Sequence, residues 1–301
     1  MIQLFVSKNF SMKLFGTAIL ALTLNVQTLA AKAASTNSIQ TVDFTKCSEF
    51  VGLAPIPLGN VKNLVPQSYA ISGTEIGKAN LVVRSTQCEG FGVGNSETQP
   101  GTLAQVGVNI VSPDGTGDIN NYTLWYVTNN LNLATILQQA GINAKLVPAL
   151  TYNFTSDDTG SGGNLDVNVP LPANPSFTIS GYEFDPPSTD PSLLYVANWW
   201  QSTQNTTIKT NTTFPNIRFA NSAVTLYTDP NSDLGNLIGR GSTAFTTLSL
   251  RGRFDEAHMD VIVTPVPEPS FDLSTVLAAL WMGFLLRLEV RKSKRTSGSR
   301  Y

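Results

Sequence analysis

A single histidine, His258, and two cysteines, Cys47 and Cys88, stand among the 301 residues of this chain. Those counts remove most familiar ways of building a catalytic centre. A zinc site with two or more histidines is impossible, and two thiols do not complete an ordinary structural zinc site. A Ser-His-Asp arrangement would have to join His258 to Asp255, Glu256 or Asp260, yet no Gly-x-Ser-x-Gly elbow is present. His258 reads instead as a polar residue on the solvent face of the last strand. No Gly-x-Gly-x-x-Gly or Walker pattern opens a helix, and Gly235 to Gly241 lacks both the lysine and the spacing of a phosphate loop. Carboxylate, calcium and aromatic chemistry remain.

Carboxylates occur in pairs, Glu183 with Asp185 and Asp255 with Glu256, as glycoside hydrolysis requires when a fold sets them at the right separation. Solvated turn residues are the plainer use of such pairs. Asp114, Thr116, Asp118 and Asn120 put oxygen-bearing side chains at every second position, like the first half of a calcium loop. The sixth position is Ile119 rather than glycine and the twelfth is Trp125 rather than an acid, and a hairpin loop containing Asp-Gly accounts for the same residues. Calcium is therefore the one cofactor that the spacing suggests. Trp199 and Trp200, with Tyr195 close by, offer indole faces on which a sugar ring can stack, the competing use being the packing of a β core.

The two ends of the chain bear on where such chemistry would operate. Lys8 and Lys13 precede an apolar core from Leu14 to Leu24, and Ala31-Lys32-Ala33 supplies a small-x-small cleavage pattern. Residues 1–33 thus read as a secretory signal peptide. At the other end Val266-Pro267-Glu268-Pro269-Ser270 is followed by an apolar run, residues 273–286, and by a basic tail with Arg287, Arg291, Lys292, Lys294 and Arg295. Pro267 and Pro269 fix φ and remove amide donors, which leaves Glu268 in an extended backbone that a protease can grip. A spanning helix needs roughly 20 residues, and the run approaches this when Arg287 to Val290 is counted as a snorkelling end, giving a transmembrane segment of about 273–290. The basic residues beyond it are expected on the cytoplasmic side.

Proline-braced motif, apolar segment and basic tail, in that order, resemble the PEP-CTERM sorting signal of Gram-negative and cyanobacterial surface proteins. The resemblance covers residues 265–301. It implies recognition by a membrane peptidase of the exosortase type, removal of the tail, and delivery to the cell envelope or an exopolysaccharide matrix.

Between Ala34 and Thr264, five Lys and five Arg face twelve Asp and six Glu. An acidic domain of this kind has no electrostatic footprint for nucleic acid. Its two cysteines, in an oxidising compartment, are expected to form one disulfide, Cys47–Cys88. Thr, Asn, Val and Gly are abundant, which favours strands and turns. Ala104, Val106, Val108 and Ile110 alternate with Gln105, Gly107 and Asn109; Leu165, Val167, Val169 and Leu171 alternate with polar residues; so do Met259, Val261 and Val263. Such period-two runs predict half-buried antiparallel strands. Turn signals fall at Ser112 to Gly115, Asp157 to Gly160, Asp185 to Pro187 and Asp229 to Ser232. One helix is expected from a cap at Asn130 or Asn132 through Leu133, Ile136, Leu137 and Ala140 to a stop at Gly141. A segment from Asp190-Pro191 through Trp200 fits a second helix or a buried strand.

The expected fold is mainly β, an antiparallel sandwich or barrel in one exported domain, residues 34–264, with one or two short helices. The expected role is a structural or polysaccharide-binding component of the cell surface or extracellular matrix, more in keeping with a non-enzyme. The alternatives are a secreted enzyme acting on carbohydrate or a small ligand, and an open barrel that binds a small molecule.

Overall fold

The computed structural model describes residues 38–266 apart from Thr74, Asn95 and 171–173. The expected signal peptide, the sorting motif from Pro267 to Ser270, the apolar segment and the basic tail all lie outside the described residues, and so does Leu171. No described helix is long and apolar enough to cross a membrane.

Among the described residues twelve strands join in one sheet system. They are β1 (Ser38–Pro57), β2 (Lys78–Val93), β3 (Gln99–Asn109), β4 (Ile119–Thr128), β5 (Ala144–Leu146), β6 (Thr151–Ser156), β7 (Gly162–Val169), β8 (Phe177–Phe184), β9 (Leu193–Ser202), β10 (Thr206–Thr228), β11 (Ser242–Ala244) and β12 (Leu248–Pro265). Three short helices punctuate them among the described residues: α1 (Leu58–Val61), α2 (Leu131–Gln139) and α3 (Asp233–Ile238). The strand order β12-β1-β2-β3-β4-β9-β10 closes on itself because β10 also pairs with β12. This is a seven-stranded barrel. The far half of β10 leaves it to pair with β8, and β8, β7 and β6 continue as a second sheet. The expectation of a mainly β, barrel-like chain is met. The sheet is mixed rather than wholly antiparallel, since β4 runs parallel to β5 and β9.

The long strands are buried on both faces, and this shapes everything that follows. On β3 every side chain from Thr102 to Val108 is buried. Alternation predicted one buried face, with Gln105 and Gly107 on the wet one. Those residues instead face the barrel interior, while Ala104, Val106 and Val108 face a second core shared with β6 to β8. Gly107 has a packing reason, because a Cβ there would come within 2.7 Å of the Trp199 ring and 2.3 Å of the Tyr122 carbonyl oxygen.

The β7 alternation is as expected: Leu165, Val167 and Val169 are buried, and Asp166 is exposed. β12 likewise buries Met259 and Val261 and exposes His258. On β1, Phe44 and Cys47 are both buried although an odd number of residues apart. The left-handed Lys46 (φ 48°) between them shifts the alternation by one. Cys47 lies directly across from Cys88 and is disulfide-bonded to it, as expected.

Helix α2 begins where predicted, with the Asn130 side chain accepting from the Leu133 amide at 2.9 Å. It buries Leu133, Ile136 and Leu137 and gives way to Gly141 at φ 92°. The segment after Asp190-Pro191 is strand β9. Its run of bulky side chains packs on both faces, with Trp199 turned to the barrel and Trp200 to the second core.

Candidate functional site

The second core carries a buried ionic centre. Glu183 lies near the end of β8 and Arg251 on β12, brought together because both strands pair with β10. Neither is exposed beyond 2%. Arg251 donates from Nη1 to Glu183 Oε2 at 2.8 Å, and its Nε lies 3.2 Å from Asp185 Oδ1. Arg253 Nη1 approaches the same Asp185 oxygen at 3.5 Å. The Phe154 ring covers the guanidinium, 3.3 Å from its central carbon. Tyr152, two residues back on β6, shares that face and sets its hydroxyl beside the Glu183 carboxyl without an aligned hydrogen bond.

Unmet hydrogen-bonding capacity gathers here. Nine buried side-chain polar atoms lack an aligned partner among the described residues, and four of them are Tyr152 Oη, Glu183 Oε1, Asp185 Oδ1 and Arg251 Nε. Asp185 Oδ1 and Arg251 Nε face one another as an ion pair, and Tyr152 Oη and Glu183 Oε1 keep capacity for a bound water or a ligand. Burial pushes the Glu183 carboxyl up to about 7, an effect the Arg251 charge only partly offsets and the Asp185 charge increases. Burial also raises the Tyr152 phenol well above its usual range, helped by the Glu183 charge. The centre therefore pairs a carboxyl that exchanges its proton near neutrality with a phenol that keeps its own.

Asp185 and Arg253 connect the centre to solvent. One open cleft of about 630 Å³ is lined in part by Ser48, Gln87, Pro186, Asn216, Arg218 and Arg253, and it runs past the disulfide. A second, of about 860 Å³, is walled by Phe184, Asp185, Pro186, Phe219, Leu250 and Arg253.

A second ionic centre points the other way, into the barrel. Glu49 Oε2 accepts from Thr86 Oγ1 at 2.7 Å, and Arg84 Nε stands 3.5 Å from it. Tyr126 and Thr212 are buried nearby on the barrel strands with hydroxyls that lack a partner. Neither cleft has a residue of this centre in its lining.

The residues singled out by spacing fare differently. Glu183 and Asp185 do meet, but around Arg251 rather than across a gap for a sugar bond. Asp255 and Glu256 are consecutive on β12, so they point to opposite faces, and both are exposed. His258 bridges two carboxylates, with Nδ1 2.6 Å from Asp43 and Nε2 3.1 Å from Asp260. The hydrogen bond to Asp43 leads in raising its pKa.

The calcium expectation is not borne out. Asp114 Oδ2 accepts from the Lys209 ammonium at 2.7 Å, and its Oδ1 accepts from Thr116. Asp118 accepts from the Val196 amide, and Asn120 from Trp200 and Asn198. A lysine charge thus occupies the place a cation would take, and the Asp114 carboxyl, despite its partial burial, falls to about 2 with Lys209 and Thr116 bonded to it. No group of three or more His, Cys, Asp or Glu suited to a metal occurs among the described residues.

Trp199 and Trp200 are 3% and 6% exposed. They cannot serve as a stacking platform, because the β9 strand that carries them lies between two cores rather than on a surface. Arg251 is the residue of the buried centre that spacing missed.

No family model matches the sequence, and no curated protein does. Among solved structures, the acetoacetate decarboxylase of Legionella pneumophila aligns over 80% of this chain and 93% of its own, at 11% identity and a TM-score of 0.50. An acetoacetate decarboxylase-like enzyme from Sphingomonas wittichii RW1 aligns over 76% and 93%, at 8% identity and a TM-score of 0.46. Another acetoacetate decarboxylase structure aligns over 74% and 86%, at 9% identity and a TM-score of 0.47. The likeness to the Legionella protein is one of fold. It corrects the expected structural or polysaccharide-binding role: this barrel is one that houses an enzyme of a small molecule in that protein, and the tryptophans meant to hold a polysaccharide are inside it.

Proposed function

We propose that this chain handles a small polar molecule at the Glu183–Arg251 centre, reached over Asp185 from the adjoining clefts. The observation that carries the reading is the convergence of four buried polar atoms without an aligned hydrogen bond beside an opening, Asp185 Oδ1 and Arg251 Nε meeting there as an ion pair. A hydroxyl or carbonyl entering there meets a donor in Tyr152, a donor in Arg251 and a proton-exchanging acceptor in Glu183. The test is a thermal-shift and calorimetric screen of the purified chain against hydroxy acids, oxo acids and neutral polyols, repeated with Glu183→Gln and Tyr152→Phe. Saturable binding that either substitution weakens supports the reading; no compound bound, or binding indifferent to both, removes it.

The same centre supports an enzymatic second reading, because a carboxyl with a pKa of about 7 suits general acid–base work at neutral pH. Turnover of a bound compound, lost in Glu183→Gln, would select it. Decarboxylation through a lysine imine is a poorer fit. That chemistry uses a lysine desolvated or set beside another cation, acetoacetate decarboxylase being the standard example. Among the described lysines Lys46 and Lys62 are exposed, Lys78 and Lys145 are half-buried, and Lys209 is ion-paired to Asp114.

The location we propose is the cell envelope or the extracellular matrix. Residues 1–33 would direct export, and residues 265–301 would anchor a precursor in the membrane for an exosortase-type peptidase. The described disulfide is in keeping with an oxidising compartment. Replacing Pro267, Glu268 and Pro269 with alanine should abolish processing in cell fractions; unchanged processing would remove the proposal.

A further inference from the structure

One polar rung crosses four neighbouring strands on the outer face of the barrel. Arg218 on β10 is directly opposite Arg253 on β12, Arg253 is opposite Ser48 on β1, and Ser48 is opposite Gln87 on β2. Paired positions in a sheet put their side chains on the same face. All four side chains line the 630 Å³ cleft. Two like charges directly opposed on antiparallel strands destabilise the pairing, and only one of these two has an acidic partner among the described residues. Arg253 has only Asp185 Oδ1, at 3.5 Å, and that oxygen is closer to Arg251. Arg218 donates from Nε to the Asp190 carbonyl and forms no ion pair among the described residues. Of the remaining charges in the cleft, Lys46 and Glu89 neutralise one another at 2.9 Å, and Asp255 stands two residues further along β12.

We propose that this rung is an anion anchor for the carboxylate or phosphate group of a small molecule. The two guanidinium groups present forks that match either anion, and the Ser48 hydroxyl and Gln87 amide add donors from the same row. The inference rests on the reading that ligand enters this cleft, and it adds to it an orientation. The charged end lies on the rung, and the uncharged polar end reaches toward Asp185, whose Oδ1 is shared by Arg253 and the buried Arg251.

Calorimetric titration of the purified chain with succinate, glycerol phosphate and uncharged glycerol tests this, in the wild type and in Arg218→Gln, Arg253→Gln and the double variant. Near-UV circular dichroism checks that each variant is folded. The expected result is saturable binding of at least one anion and none of glycerol, about tenfold weaker in Arg218→Gln and abolished in the double variant. Binding of succinate alone assigns a carboxylate, and of glycerol phosphate alone a phosphate. Failure of both anions to bind the wild type, or equal binding by the folded double variant, overturns the anchor. The two readings separate cleanly. A compound held through Glu183 or Tyr152 with no dependence on Arg218 or Arg253 removes the anchor and keeps the buried centre; anion binding through the rung, unaffected by Glu183→Gln and Tyr152→Phe, does the reverse.

Discussion

Two buried acid–arginine pairs lie on opposite faces of the barrel wall, Glu49 with Arg84 on β1 and β2 and Glu183 with Arg251 on β8 and β12. Glu49 lies opposite Gly252 on β12, and the next residue toward the amino end of that strand, Arg251, faces the other way. A single-residue step therefore separates a centre inside the closed barrel from one in the second core. Glu49 is held by Thr86 and Arg84 and is touched by neither cleft. Glu183 shares its arginine with Asp185, whose partly exposed side chain forms part of a cleft wall. Burying a charge pair does not by itself mark a site, since such pairs also serve to fix packing. Access to solvent, together with competition for the arginine, distinguishes the second centre from the first.

The largest effect should come from removing each arginine. Arg251→Met strands Glu183 and leaves Asp185 with Arg253 alone, and Arg84→Met strands Glu49, at a cost of about 3–5 kcal/mol each in denaturant unfolding. The Arg251 variant should be the more damaged, because two carboxylates lose a partner. Combining Arg251→Met with Glu183→Leu should recover much of the loss, as no uncompensated buried charge then depends on Glu183. Equal damage from both arginine variants, with no recovery in the double, would dissolve the distinction drawn between the centres.

The next effect is a pH dependence at the Glu183 centre. The Glu183 carboxyl is raised from an ordinary value of 4.5 to about 7, so the folded chain holds a proton there that the unfolded chain has released. Stability is therefore expected to fall as pH rises from about 4.5 to about 7 and to level off above, by on the order of 3 kcal/mol. His258 contributes in the same direction over an adjoining window, since its raised pKa makes its stabilisation fade as pH climbs through the folded value. Comparing the wild type with Glu183→Gln isolates the carboxyl: the variant should lose most of the slope. A slope identical in both would make Glu183 a fixed ion-pair partner of Arg251.

Much of the architecture was readable along the chain, and what was not has a common cause. The β7 alternation, the Asn130 cap of α2 and the turns at Asp157 and Asp229 are local, set by residues within a few positions of one another. Face assignment on β3 failed because polar Gln105 and the glycine that makes room for Trp199 mimic a wet face when they are buried in a barrel. The tryptophans took the competing use, core packing, for the same reason. Spacing did bring out Glu183 and Asp185, two residues apart where β8 ends. It could not supply Arg251, which lies 68 positions from Glu183 and meets it only through the shared pairing with β10. Nor could it supply the Arg218–Arg253 rung, whose two charges become neighbours through strand register alone.

The smallest effects on stability make the sharpest comparison between the centres. Tyr126 and Tyr152 each bury a hydroxyl without an aligned hydrogen bond, that of Tyr152 beside the Glu183 carboxyl. Such a group carries a desolvation penalty without a compensating bond, so its removal is close to neutral or slightly stabilising, within about 1 kcal/mol. Tyr126→Phe and Tyr152→Phe should accordingly unfold near the wild-type midpoint. Binding should tell them apart. If the Tyr152 hydroxyl is left open for a ligand that enters over Asp185, its loss weakens capture of any compound found in the small-molecule screen by about tenfold while stability holds. Tyr126, sealed in the barrel beside Arg84, should leave that affinity unchanged. A ligand sensitive to Tyr126 and indifferent to Tyr152 would move the site through the sheet to the Glu49–Arg84 centre, and the partly exposed Asp185 would then be a consequence of strand β8 ending there rather than a door.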